Sequence, residues 1–470
     1  MKLIKRNIRM IVLAVLLLLA SLVGYGAYSL AVYGNRWFSS AANVYARWQK
    51  NDVIPGRIYD RNGTLLASSD ENGKRYYHDN AQLRSAVVHV VGDSANNVAY
   101  GAESFMAQYL YGFSDSYLDR LRQAFGGGKR QGNDLRLSID AGLSLAIAKA
   151  FPADKAGAVV VMNYKTGELL SLQSFPVFDP MRITREVEKN PLKPFWNRAT
   201  RWLSAPGSTF KVVPLAAALK NIPDAMTKTY ECTGAYQVGD TVITDAGMAS
   251  HGTIKLKKAL EVSCNITFAK LALELGDETL RDASKAFGMN DYFLFSDLVV
   301  ENSAYPATNR VNKEIAWTGA GQSALLLTPL HMTMITAGIA NDGVMMEPKL
   351  LLQAVSDAGE TKASISPRVY KTPLKPHEAD VIAEAMRRVV VSGTAGRAAI
   401  SGLKVCGKTG SAQVAGQEET NAWFIGFLDE PDLPYALCVV IEDGGGGGRA
   451  AAPLAGKIFN QLKHLRYPAE

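Results

Sequence analysis

The stretch AGAVVVMNYKTGELLSLQSF, residues 156–175, decides the fold. Two apolar, β-branched runs flank a polar turn at residues 164–167, which predicts a β-hairpin. Runs with so few polar breaks suit strands covered on both faces. Three more such runs stand near the other end of the chain: LKVCGKTGS (403–411), NAWFIGFL (421–428) and YALCVVI (435–441). Between the two groups, helical patterns dominate from about 208 to 278 and from 329 to 340, and a last amphipathic helix is expected at 454–464. Strands at both ends with helices between them predict an α/β (α+β layered) fold: an antiparallel sheet with helices on both faces.

Working outward, the 470 residues suffice for two or three domains. A content of 47% hydrophobic and 20% charged residues is that of a globular chain, not a disordered one. Residues 10–33, MIVLAVLLLLASLVGYGAYSLAVY, carry no charge, and roughly 20 apolar residues cross a bilayer as a helix. Lys2, Lys5, Arg6 and Arg9 precede this run, which predicts a cytoplasmic N-terminus with the rest of the chain outside. A cleaved signal peptide would have a shorter apolar core, about 7–15 residues. The net charge is +7. With those four positives set aside it is nearly balanced, so no nucleic-acid-binding face is expected. Asn62-Gly63 within PGRIYDRNGTLLA reads as a tight hairpin turn, and FGGGKRQGN (125–133) as a linker. The expected layout is a cytoplasmic tail (1–9), a transmembrane anchor (10–33), a small non-catalytic, pedestal- or dimerisation-like region ending in the Gly-rich linker (34–131), and a catalytic domain (132–470). Cys232, Cys264, Cys406 and Cys438 are scattered with no C-x-x-C, which argues against a zinc or redox motif. Cys406 and Cys438 both fall in strand-like runs, and the sequence leaves their pairing open.

The chemistry starts at APGSTFKVV (205–213). Pro206-Gly207 breaks the chain, a helix can begin at Ser208, and Ser208 and Lys211 at i and i+3 then share a face. A serine hydroxyl needs a base to become a nucleophile. A lysine serves only when neutral, a state favoured by burial and by a neighbouring cation such as Lys408. In EVSCNITF, Ser263 and Asn265 stand at i and i+2, on one side if the segment is extended. Each element has a double: Ser401 with Lys404, Ser94 with Asn96, and Lys165-Thr166-Gly167 against Lys408-Thr409-Gly410. Order separates them. Only Ser208/Lys211, then Ser263/Asn265, then Lys408-Thr409-Gly410 form one series in the order of the serine acyl-enzymes that react with β-lactams. The first Lys-Thr-Gly is therefore read as a hairpin tip.

Here the chain resembles class B penicillin-binding proteins, monofunctional peptidoglycan D,D-transpeptidases. The resemblance runs in family order through PGRIYDRNGTLLA, LRLSIDAGLSLAIAKAF, TGELLSLQSFPVFDP, PGSTFK, HGTIKLKKALEVSCNITF, GQSALLLTPLHM, VVSGTAG, KTGSAQ and AWFIGF. Ser323 stands where the family usually has Gly, Ser411 replaces a common Thr, and Pro214 lies inside the nucleophile helix, where a bend is expected. The resemblance implies a β-lactamase/transpeptidase-like fold and no metal or cofactor. It implies Ser208 as nucleophile with Lys211 as base, and Ser263 passing a proton to the leaving D-Ala. Asn265 would hold a substrate amide, and Lys408, Thr409 and Ser411 the terminal carboxylate. Gly410 would let the substrate backbone approach. The backbone N–H groups of Ser208 and Ser411 would form an oxyanion hole. The implied partners are peptidoglycan stem peptides, the lipid-linked precursor, β-lactams as covalent inhibitors and a membrane glycosyltransferase.

The bland readings are a structural His251, a packing Cys264 and a core Trp423. A D,D-carboxypeptidase or a β-lactamase-like hydrolase would share the same residues. A penicillin-sensing receptor would want further membrane spans and an H-E-x-x-H, and neither is present in the sequence. A Ser-His-Asp hydrolase lacks its G-x-S-x-G partner.

Overall fold

The computed structural model describes residues 2–38, 53–113, 130–306, 310–414 and 419–465. Its central sheet has five strands in the order Val405–Ala412, Asn421–Leu428, Tyr435–Ile441, Gly157–Asn163, Leu169–Phe175. Every neighbouring pair is antiparallel. The hairpin at 156–175 is thus joined edge to edge with the three late runs, as their apolar character predicts. Adjacent residues of a strand point to opposite faces, and both faces are covered. Phe424 meets Phe459 of the helix Ala451–Leu462 edge to face, while Trp423 stacks on Trp202 at 5.7 Å. The helix Pro329–Ala340 packs against the middle strands and buries all its residues up to Ile339.

A second sheet of six strands follows the order Thr361–Ser364, Leu351–Val355, Asp134–Leu137, Ile58–Tyr59, Leu65–Ser69, Arg75–Tyr77. It runs across residue 132: Ile58–Tyr59 pairs in parallel with Leu135 and Arg136, which lie beside Leu351–Val355. The expected turn at Asn62-Gly63 is present. Gly63 has φ 86°, and Asp60 Oδ1 accepts from the N–H groups of Asn62 and Thr64. Arg75, on the last of these strands, forms a buried ion pair with Glu103 at 2.6 Å. Within the expected linker, Arg130–Gln131 pairs in parallel with Val53–Ile54; residues 125–129 lie outside the described residues.

The first helix, Lys2–Phe38, contains Ile4–Leu30, long and apolar enough to cross a membrane. Elsewhere the helical expectation for 208–278 needs correction. Four short strands, Thr229–Cys232, Ala235–Val238, Thr241–Thr244 and Gly252–Lys255, make two antiparallel ribbons there. Turn glycines at positive φ (Gly234, Gly239) separate residues of alternating burial, a period of two that a helical reading overlooks. Pro214 is the third residue of the helix Val212–Asn221, just past the point where the 3₁₀ turn Gly207–Lys211 passes into α-helix. Cys406 and Cys438 are both buried and free, on strands separated by the strand Asn421–Leu428.

Candidate active site

A cleft of about 720 Å³ opens beside the edge strand Val405–Ala412. Its walls include Ser208, Ser263, Asn265, Thr409, Gly410 and Ser411. Ser208 lies in a 3₁₀ turn, Gly207–Lys211, that leads into the helix Val212–Asn221. With three residues per turn, positions 208 and 211 are eclipsed, so the shared face expected of a helix is kept. The turn and the strand touch through their glycines. A Cβ on Gly410 would lie 2.8 Å from Pro206 O and 3.2 Å from Thr209 N. One on Gly207 (φ 56°) would lie 2.9 Å from Ser411 O and 3.2 Å from Ser411 N. Gly410 therefore makes room for the turn that carries Ser208, and it also lines the cleft. The contact sets the backbone of Ser208 beside that of Ser411.

Two lysines lie under the cleft, both fully buried. Lys211 Nζ donates to Ser263 O (2.7 Å) and Asn265 Oδ1 (2.8 Å) and stands 3.5 Å from Ser263 Oγ. Lys408 Nζ donates to Ser263 Oγ and to Thr409 O, both at 2.8 Å. Ser263 thus bridges the two ammonium groups. Burial brings Lys211 down to about 8, against an opposing pull from the Cys264 thiol and Asp245. Burial, followed by the charge of Lys211, holds Lys408 well below the ordinary lysine value. Of the two causes expected from the sequence, burial and a neighbouring cation, burial is the larger for both lysines, since each ammonium has lost its water. A lysine near 8 can carry or release a proton close to neutral pH.

Ser263 and Asn265 do not lie in an extended segment. Ser263 closes the helix Leu256–Val262 in the left-handed region (φ 62°), and Asn265 opens the helix Asn265–Ala286. They converge on Lys211 through this break. Asn265 Nδ2 also donates to Thr244 O at 2.9 Å, which leaves one amide hydrogen for a ligand. Cys264, between them, is buried against Asp245, which with His251 lines the cleft; these three and Cys232 form a group of four potential metal donors. Thr409 Oγ1 and Thr394 Oγ1 share a hydrogen bond of 2.6 Å, and Ser411 Oγ accepts from Gly447 N at 3.1 Å. Thr394, Asp245 and Gly447 received no role from the sequence. Thr394 alone had a signal, inside VVSGTAG.

The doubles lie elsewhere. Lys165-Thr166-Gly167 is the hairpin tip. Asn163 Oδ1 accepts from Lys165 N and Thr166 N, and Lys165 pairs with Asp342 at 3.7 Å, half exposed. A Cβ on Gly167 (φ 82°) would lie 2.1 Å from Glu347 O, so this glycine serves the turn. Ser94 and Asn96 belong to a loop wound around the Asp93 carboxylate, and Ser401 and Lys404 flank an exposed turn. Ser323 has φ 72°, a backbone conformation that suits the glycine usual at this position.

Residues 157–461 match the family described as the penicillin binding protein transpeptidase domain. The chain belongs to the penicillin-binding protein transpeptidase family. Among curated relatives, the peptidoglycan D,D-transpeptidase PbpA of Mycolicibacterium smegmatis is 29% identical over 308 residues, 61% of this chain and 62% of the relative. The match thus spans less than two thirds of that relative's length. Among solved structures, the D,D-transpeptidase domain of a peptidoglycan glycosyltransferase from Eggerthella lenta has 28% identity and a TM-score of 0.77, covering 88% of this chain and 99% of that one. Penicillin-binding protein A from M. tuberculosis, solved as a ceftriaxone acyl-enzyme, has 26% identity and a TM-score of 0.79, with the same coverage. The expected class and the layered α/β fold are both borne out. The transpeptidase domain matched by the family begins at the first strand of the central sheet, the strand of the opening hairpin.

Proposed function

We propose that this chain is a peptidoglycan D,D-transpeptidase working through an acyl-enzyme on Ser208. One observation carries the reading: two buried lysines bridged by Ser263 lie beneath a cleft that Ser208 lines. The D-Ala-D-Ala end of a stem peptide lies along the edge strand. Its terminal carboxylate is held by the hydroxyls of Thr394, Thr409 and Ser411. Lys408 Nζ, engaged with Ser263, serves the proton path. Lys211 takes the Ser208 proton as Oγ attacks the penultimate carbonyl. The N–H groups of Ser208 and Ser411 stabilise the oxyanion, a contribution of about 10²–10³ in rate per donor. The proton reaches the departing D-Ala through Ser263, and Asn265 holds the substrate amide. The amine of a second stem peptide then attacks the ester, which forms the crosslink and frees Ser208. A β-lactam follows the first half of this course and stalls there.

The helix Lys2–Phe38 anchors the chain with its N-terminus in the cytoplasm and the cleft outside, by the charge rule for flanking residues. There the enzyme meets lipid-linked precursor polymerised by a membrane glycosyltransferase. Fluorescent penicillin should label the protein covalently, and Ser208→Ala should abolish the label; equal labelling of the variant refutes the assignment. Incubation with stem peptide should give a crosslinked dimer. Release of D-Ala without dimer would make the enzyme a carboxypeptidase.

A further inference from the structure

Beside the cleft, four side chains from four separate segments bring their donor atoms together. Cys232 ends the strand Thr229–Cys232, Asp245 follows Thr241–Thr244, His251 precedes Gly252–Lys255, and Cys264 caps the helix Asn265–Ala286. Their sulfur, oxygen and nitrogen atoms all lie within 4.8 Å of one another. Asp245 Oδ2 is 3.0 Å from Cys232 Sγ, 3.2 Å from Cys264 Sγ and 3.3 Å from His251 Nδ1. Cys232 Sγ is 3.4 Å from His251 Nδ1. A tetrahedron with Zn–S near 2.3 Å and Zn–N or Zn–O of about 2.0–2.1 Å has donor–donor edges of about 3.3–3.8 Å. The observed separations come close to these edges.

The competing reading is a cluster of neutral hydrogen bonds. It asks two weak S–H donors and an imidazole to crowd onto one buried carboxylate oxygen. The surroundings suit a metal better. The other oxygen of Asp245 accepts from Asn265 N, which orients the carboxylate. Cys264 Sγ accepts from Thr267 N (3.3 Å) and Thr267 Oγ1 (3.2 Å), two donors that stabilise a thiolate. Such outer partners fix metal ligands in place. Cys232 and Cys264 are fully buried, while the His251 side chain retains 19% exposure at the cleft wall, a route of entry.

We propose that Cys232, Asp245, His251 and Cys264 bind one zinc ion. Two thiolates and an imidazole select zinc over the hard cations magnesium and calcium. Four protein ligands leave no open position, so the site is structural and the ion does not meet substrate. The balance is simple: Zn²⁺ enters and the two thiols each release a proton. The cluster carries one negative charge before, on Asp245, and one after, so the net charge beside Lys211 is unchanged. What the ion supplies is position. Cys264 lies between Ser263 and Asn265, and Asp245 is bonded to Asn265 N, so the metal pins both residues that hold Lys211.

The test uses the full-length chain in detergent. Elemental analysis should find about one zinc per chain, and refilling the stripped protein with cobalt(II) should give the thiolate charge-transfer and ligand-field bands of a tetrahedral site. His251→Ala and Cys232→Ser should each lower zinc affinity by at least about 100-fold. Stripping zinc should lower both the melting temperature and the rate of penicillin acylation, and adding zinc back should restore them. The proposal is overturned if the wild type holds no stoichiometric zinc and shows no cobalt bands. A Cys232–Cys264 disulfide in place of metal, or equal zinc in the wild type and a Cys232→Ser/His251→Ala variant, overturns it too. Metal content is read without any β-lactam, so it fails or stands independently of the transpeptidase assignment.

Discussion

Lys211 makes a sharp prediction about pH. Its ammonium is fully buried and brought down to about 8, and in the proposed mechanism only the free amine takes the Ser208 proton. For a group titrating near 8, the free-base fraction is about 1% at pH 6, about 9% at pH 7, about 50% at pH 8 and about 90% at pH 9. The second-order rate constant for acylation by fluorescent penicillin should therefore rise about tenfold from pH 6 to 7 and about fivefold from pH 7 to 8, then less than twofold to pH 9. The assay is timed labelling at low penicillin concentration, quenched and quantified on a gel. The shape carries the test. A lysine at its ordinary value, near 10.4, would give a tenfold rise in every unit up to pH 9. A profile that is flat, falls with pH, or still climbs tenfold between pH 8 and 9 refutes the argument that burial tunes Lys211.

Four other perturbations discriminate in the same assay or by unfolding. Lys408→Ala strips Ser263 Oγ and Thr409 O of their donor and should slow acylation by about 100-fold or more. Lys165→Ala removes an exposed ion pair and a cation–π contact with Tyr164, both away from the cleft, and should leave the rate within about twofold. In Gly447→Ala the new Cβ would sit 2.3 Å from Gly410 O and 2.4 Å from Trp423 O, both backbone atoms. A destabilisation of about 1–3 kcal/mol is expected, with a matching fall in melting temperature, and an unchanged midpoint would show that the strand can shift freely. Arg75→Ala leaves Glu103 buried without its cation and should cost about 3–5 kcal/mol by chemical denaturation; a loss below about 1 kcal/mol would contradict the burial.

The strands of the central sheet were legible because both faces are covered, so their sequences are continuous apolar runs. The grouping of Ser208, Lys211, Ser263, Asn265 and Lys408 about one cleft was legible through the order of their motifs, even though each element occurs twice. The second sheet was not, because Ile58–Tyr59 and Leu351–Val355 meet only through Asp134–Leu137, a pairing that no local pattern encodes. The backbone at Ser263 was misread because its left-handed turn is specified by packing between two helices, not by a glycine. The Cys-Asp-His-Cys group escaped a search for paired cysteines. Its members come together when the strand ending at Cys232 pairs with the strand beginning at Gly252.

The order of strands in the central sheet also governs when the enzyme can exist at all. Asn163 pairs with Tyr435 and Gly157 with Ile441, so the first hairpin waits for nearly the whole chain before its open edge is closed. Contacts this distant in sequence slow folding and leave unpaired apolar edges exposed meanwhile. The wall that faces Ser208 belongs to those last strands. A chain halted before residue 405 would display the Ser208 turn with no strand beside it, and an apolar hairpin free to pair with a stranger. On the proposed function, penicillin reactivity would be a late property of the maturing chain, and its first appearance would report that the final strands have docked.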